Sequence, residues 1–349
     1  MSELELQEAI LKNALELERL SANDQADAMR IMAALERDLK TLLAQRDLSN
    51  AKRREIEAIL NEAKKAIDGR YSALGGVVDT RGLMLVVSQQ TVEAIRTLGA
   101  IRALTPERIA SLAKTVLIEG APSAAWWAKQ SERLQFDFAR IVREGVIEGA
   151  TQEQITARII GTGDEPGIMD AARRNVRSLV HSSIMTAANR ARLETFANNS
   201  RHLAGVRWLA TLDSHTCRTC MALDGRVWDL EGNPVDQGED AMDFQLPPAH
   251  FACRCTMSPV AKSLDAILGV KGLDAKLAAG RRRASKDGPT SALTFSEFLR
   301  RQSPEYIEEA LGAERAALWR QGKVTLRDLV SGSGRELTLE QIKQRMKEK

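Results

Sequence analysis

Apolar side chains recur at three- and four-residue spacing from the start of the chain. Leu6, Ile10, Ala14 and Leu17 form one stripe, and Ile31, Leu35, Leu39 and Leu42 a second, the period of an amphipathic helix. The pattern predicts two long helices over residues 3–70, with Ser21-Ala22-Asn23-Asp24 as a break and a new N-cap. Arg53, Arg54, Lys64 and Lys65 interleave with Glu55, Glu57 and Glu62, which describes a solvated helix face rather than a binding patch. Gly75-Gly76 predicts a turn before a short β-branched run, and helix is expected to resume over 91–102. Thr105-Pro106-Glu107 is an N-cap with proline at the first helical position. Trp126-Trp127 lies near another helix start; adjacent residues do not share one helix face, so core packing for both competes with a partner contact for one. Residues 130–160 continue in helical period, with Gly145 and Gly149 near a packing face and Thr151-Gln152-Glu153-Gln154 as a capping box. The glycine-rich stretch 161–167 lacks the lysine and Ser/Thr of a phosphate loop and has no strand before it, so a turn is expected. A helix over about 169–198 carries Arg173, Arg174, Arg177, Arg190 and Arg192.

Past residue 205 the period changes. Val206 to Thr211 alternates like a strand and leads into the region that holds all four cysteines. They fall in two close pairs, Cys217-Arg218-Thr219-Cys220 and His250-Phe251-Ala252-Cys253-Arg254-Cys255. A CxxC pair answered by a second cluster of Cys and His is the spacing of a zinc site. Two disulfides are the less favoured alternative, because the acidic, amphipathic first residues do not resemble an export signal and a chain this long has core enough without covalent staples. A redox CxxC would leave His250, Cys253 and Cys255 without a role. Cys217, Cys220, His250, Cys253 and Cys255 are five candidates for four tetrahedral positions, and the sequence leaves open which is left out. Thiolates neutralise the ion and weaken it as a Lewis acid, and no His-Glu-x-x-His motif is present, so the expected Zn2+ is structural.

Composition narrows the reading further. Apolar residues make up 44% of the 349, enough for a folded core, but no apolar run approaches the roughly 20 residues that span a bilayer. The net charge of +3 does not mark the whole chain as a polyanion binder, yet residues 263–349 carry 17 basic against 12 acidic side chains. Within them Arg281, Arg282, Arg283 and Lys286 are candidate phosphate contacts, with an ordinary surface linker as the equal alternative. The chain is therefore expected to be mostly α. A helical arm (1–70) and a helical middle region (71–168) precede a small α+β zinc-stapled module (169–262), a basic linker (263–290) and a helical C-terminal tail (291–349). In that tail Phe295, Phe298 and Leu299 begin one helix, residues 311–319 continue the apolar face, and Leu337-Thr338-Leu339 starts the last helix.

Residues 208–259 resemble the phage Mu F-like family of minor head (head morphogenesis) proteins. The matching elements are Trp208, Asp213, Thr216-Cys217 with Cys220, Leu223-Asp224-Gly225, Pro247-Pro248 with His250, and Cys253-Arg254-Cys255. Upstream, Thr186, Asn189 and Arg192 suit the helix that precedes this motif in the family, while His181-Ser182 departs from its usual Arg-Thr-type start. The tail resembles a C-terminal extension common among such proteins. The resemblance implies a low-copy, non-enzymatic component of a tailed-phage head, made in the bacterial cytoplasm. It implies association with the portal protein, with major capsid or scaffolding protein as further partners, and contact with packaged or ejected DNA. Two alternatives stand beside it. One is a metal-dependent nuclease or toxin-like enzyme using Asp213 and His215, against which Asp213 is expected to cap the knuckle turn and His215 to be exposed. The other is a zinc module that binds nucleic acid through its arginines. Among the matching residues, Asp224-Gly225 favours a tight turn, the proline pair an extended approach to the second knuckle, and Trp208 and Trp228 a small core packed over the ion.

Overall fold

The structure, a computed structural model, describes residues 3–45, 52–238, 241–262, 282–285, 288–291 and 294–348. Helices α1 (Glu3–Ala44), α2 (Arg53–Leu74), α3 (Thr80–Ile95), α4 (Pro106–Ala113), α5 (Ser123–Glu148), α6 (Gln152–Ile160) and α7 (Ile168–Ala197) come first. Strand β1 (Leu203–Leu209), a short helix α8 (Arg218–Leu223), and strands β2 (Val227–Trp228), β3 (Pro234–Val235) and β4 (Thr256–Ala261) follow. After a hairpin of β5 (Arg282–Ser285) and β6 (Gly288–Ser291), the chain ends in α9 (Phe295–Leu299), α10 (Pro304–Leu311), α11 (Ala313–Arg320) and α12 (Leu339–Glu348). The protein is mostly α, as its periodicity predicts, with a small four-stranded antiparallel sheet, the β5–β6 pair, a Cys/His cluster and a helical tail.

The chain divides into two compact units. One comprises Glu18–Thr80 and Thr115–Ile184. Ile59, Ala63, Ile67, Tyr71 and Leu74 of α2 are buried, and α5 runs antiparallel to α2. Arg143 pairs with Glu57 at 3.2 Å, Lys64 donates to Gln135 at 3.0 Å and Ser131 to Asp68 at 2.8 Å. Tyr71 meets Trp127 edge to face, with centroids 6.3 Å apart. Trp127 is thus core, whereas its neighbour Trp126 is half-buried, donates to the Ile118 carbonyl at 2.6 Å and sits under Lys129. Each large apolar side chain fully buried here contributes about 1.5–3 kcal/mol. Gly145 lets α6 approach α5, since a Cβ there would lie 2.5 Å from Ile155 Cγ1.

Two expectations need correcting. Helix α1 runs unbroken through residues 21–24. Ser21 is buried rather than capping: its hydroxyl lies 3.0 Å from His181 Nδ1 and accepts from Gln25, and no proline or glycine nearby stops the helix. Helix also resumes at Thr80, ahead of residue 91, and α3 ends at Ile95 rather than 102. Leu83, Met84, Val87, Thr91, Ala94 and Ile95 are buried at helical spacing, and that burial outweighs the strand propensity of Val86 and Val87. Other local signals appear as read. Thr105 accepts from Arg108 N, Thr151 and Gln154 form a capping box, and the 161–167 stretch is a turn whose Gly167 N–H is taken by Asp170 at 2.9 Å.

The second unit comprises Met1–Leu17, Arg81–Lys114 and Met185–Lys349. Its sheet has the order β3-β2-β1-β4, all neighbours antiparallel, with Trp208 opposite Met257 and Leu209 opposite Thr256. Gly205 belongs in β1 because a Cβ would strike the Trp228 carbonyl oxygen at 2.1 Å. The 263–290 stretch contains the β5–β6 hairpin. Arg281 and Lys286 lie outside the described residues, while Arg282 and Arg283 are on β5. One apolar core joins Trp208, Leu212, Met221, Leu223 and Trp228 to Phe295, Phe298, Leu311, Trp319 and Leu329. The tail is therefore packed into the same core as the cysteine-bearing module.

Candidate metal centre

Each half of the cysteine cluster is shaped by its own backbone. Cys217 is extended and N-caps α8, its sulfur accepting the Cys220 N–H at 3.4 Å. On the other side the Cys253 N–H donates to the His250 carbonyl at 3.2 Å, and Ala252 between them takes a left-handed φ of 59°. The Pro247–Pro248 bond that precedes it is cis.

These turns bring all five predicted residues together. Cys217 Sγ lies 3.0 Å and Cys220 Sγ 3.5 Å from His250 Nε2, and Cys220 Sγ lies 3.6 Å from Cys253 Sγ. Cys217, Cys220 and His250 form one triad and Cys220, Cys253 and Cys255 another, with ligand atoms in each within 4.8 Å of one another. Cys220 belongs to both. A tetrahedral site with Zn–S bonds of about 2.3 Å has sulfur–sulfur edges of about 3.8 Å and sulfur–nitrogen edges of about 3.6 Å, so the spacing fits a metal ion. The imidazole is oriented for the same purpose. His250 Nδ1 lies 2.8 Å from the Phe251 carbonyl, and the N–H that donates there leaves the Nε2 lone pair facing the sulfurs.

Without a cation, the cluster sorts its protons. Hydrogen bonding from Cys220 and His250 lowers Cys217 to about 5, and hydrogen bonding to Cys217 and Cys253 raises His250 to about 11. Cys253 is pushed down chiefly by hydrogen bonding from Cys220, whereas Cys220 is pushed up, chiefly by its bond to Cys217. For Cys255, hydrogen bonding with Cys220 lowers the value, but the Cys253 contact and burial outweigh it and raise it. Cys217 and Cys253 are thus favoured as thiolates, while Cys220, Cys255 and His250 hold their protons.

Two sets of contacts brace the cluster. Asp213 Oδ1 accepts from His215 N at 3.0 Å and Thr216 Oγ1 at 3.2 Å, while both its oxygens take a fork from Arg254 at 2.5 and 2.8 Å. That pair ties the approach to the first knuckle to the residue between Cys253 and Cys255. From α7, Asn189 donates to the Cys255 carbonyl at 3.3 Å and accepts from Thr256 Oγ1 at 3.0 Å and Arg192 Nη1 at 2.8 Å. Arg192 also donates to Thr256, and burial lowers it to about 10. Asp224, expected only to shape a turn, accepts Ala210 N at 2.9 Å and Phe295 N at 2.8 Å. Trp208 and Trp228 share the buried core with Cys220, Cys253 and Cys255, as expected.

Sequence reasoning missed Arg254 as the partner of Asp213. The signal was its place inside a Cys-x-Cys pair, where a long cation reaches past both sulfurs. His215 is exposed and stands apart from the cluster, its backbone alone engaged by Asp213.

A family model described as Phage Mu protein F like protein matches residues 137–258. The match starts inside α5, includes α6, α7, β1–β3 and the whole cysteine cluster, and stops within β4, short of the tail. No curated protein and no solved structure matches the chain. Among the described residues no helix is long and apolar enough to cross a membrane.

Proposed function

We propose that this chain is a minor head protein of a tailed bacteriophage, acting in head assembly at the portal vertex, because residues 137–258 match the Phage Mu F-like family model. The family match is the observation that carries the reading. On it rest the proposed place in the virion and the partners: the portal protein first, then major capsid or scaffolding protein. DNA contact through Arg281, Arg282, Arg283 and Lys286 is the finer part of the proposal, and it predicts an affinity that falls steeply with salt.

In this reading the cysteine cluster holds a structural Zn2+, drawn from Cys217, Cys220, His250, Cys253 and Cys255. When bound, the ion supplies cross-linking of the two knuckles rather than Lewis acidity, since thiolate-rich coordination quenches its charge. Geometry weighs against the enzyme alternative. The Asp213 carboxylate is engaged by four donors, and nothing aligns His215 with it as an acid–base pair.

The test is the composition of purified heads. Quantitative mass spectrometry should find the chain at low copy number, and cross-linking should join it to the portal protein. Infectious particles that contain no trace of it would overturn the proposal.

A further inference from the structure

Only two residues separate the cysteines of the first knuckle, and both reach the C-terminal tail. Arg218 Nε donates to the Leu311 carbonyl at 3.2 Å, and its Nη1 pairs with Glu336. Thr219 Oγ1 donates to the Gly334 carbonyl at 2.7 Å. Gly334 sits at φ +79°, where a Cβ would press on Gln245 Nε2 at 2.4 Å and Thr219 Cγ2 at 3.3 Å, so this loop is seated directly on the knuckle. At the far end of α8, Asp224 takes the first N–H of α9. Below these polar contacts, Cys220, Cys253 and Cys255 lie in the same apolar core as Phe295, Leu311, Trp319 and Leu329.

The element that carries these contacts cannot hold itself in place. Helix α8 has six residues, too few for an isolated helix to be stable in water, and its N-cap is the Cys217 sulfur. A metal ion shared by Cys217 and Cys220 fixes the helix at that end, and ligand binding in such sites is folding free energy. With no ion, the anchor of Arg218 and Thr219 is loosened and two of the sulfurs lining the shared core face one another without a bridging charge.

We propose that the metal centre latches the C-terminal tail: with metal bound, residues 294–348 are docked on the knuckle, and loss of metal releases them with their apolar face uncovered. The inference rests on the cluster being a metal site. It makes the docking of the tail conditional on the metal.

Hydrogen exchange of the full chain tests it, with metal content measured on the same samples by elemental analysis. With metal bound, peptides from 295–348 should exchange slowly. After removal of the metal by a chelator they should exchange at least roughly tenfold faster, as expected for local release, while peptides from α2 and α5 keep their protection. Added Zn2+ should restore the slow exchange. The double variant Arg218→Ala, Thr219→Val should keep its metal and still release the tail, which separates the latch from general unfolding of the module. Stripped protein whose tail stays protected overturns the latch and leaves the metal site standing. So does a double variant that keeps both metal and tail protection. Folded chain that purifies without any divalent cation overturns both.

Discussion

The carboxylate of Asp213 is surrounded by donors: a backbone N–H, a hydroxyl and the two-pronged guanidinium of Arg254. The Arg254 contacts join the segment before Cys217 to the one between Cys253 and Cys255, so the pair acts as a second clasp beside the cluster. Replacing Asp213 by Asn removes the charge and leaves Arg254 partly buried without a counter-ion. The expected cost is about 1–3 kcal/mol, read as a lower denaturant midpoint in the fluorescence of buried Trp208 and Trp228; an unchanged midpoint would contradict this role. The cysteines differ from one another as well. Cys217 is the one not fully buried, and its value is lowered to about 5. In chelated protein near pH 7 it is therefore a thiolate and should be the first alkylated by iodoacetamide. Because the folded value is depressed, the thiolate persists above about 5 and is lost as pH falls through it, so the labelling rate should drop across that window. Peptide mapping that finds Cys255 modified first would refute the assignment.

Helices with a local signature behave as the sequence predicts. The caps at Thr105 and Thr151 and the extent of α7 follow from spacing and capping chemistry alone. Helix α1 and helix α3 do not, and the reason is the same in both. Ser21 looks like a cap until its partner His181, 160 residues away, is known, and the early start of α3 shows only in the buried ladder of Leu83, Met84, Val87 and Thr91. Where the deciding contact is distant, local propensity is a weak guide. Gly145 is an intermediate case, since its position near a packing face is readable but the closeness of Ile155 is not. Gly145→Ala should place a methyl group 2.5 Å from Ile155 Cγ1 and destabilise by about 1–3 kcal/mol through overpacking. Calorimetry should show a lowered Tm, and an unchanged or raised Tm would mean that α6 yields freely.

Across the whole chain, the five donor residues could be found from sequence because CxxC and HxxCxC are short patterns whose spacing is itself the chemistry. The docking of the tail could not. It depends on Arg218 reaching Leu311 and Glu336, on Thr219 reaching Gly334 and on Asp224 reaching Phe295, pairs with no sequence signature. The module and the tail share one core, with the cysteine cluster at its edge. The Mu F-like match likewise begins well upstream of the cysteines, in α5, where apolar periodicity alone carries no family signal. A metal ion that joins the two knuckles would lie beside Cys220, the residue common to both triads. The most direct test is elemental analysis of the full chain beside its Cys220→Ser variant. A structural Zn2+ held by this cluster would give about one zinc per wild-type chain and essentially none in the variant; wild-type protein that is folded and metal-free, or a variant that keeps stoichiometric zinc, would contradict it.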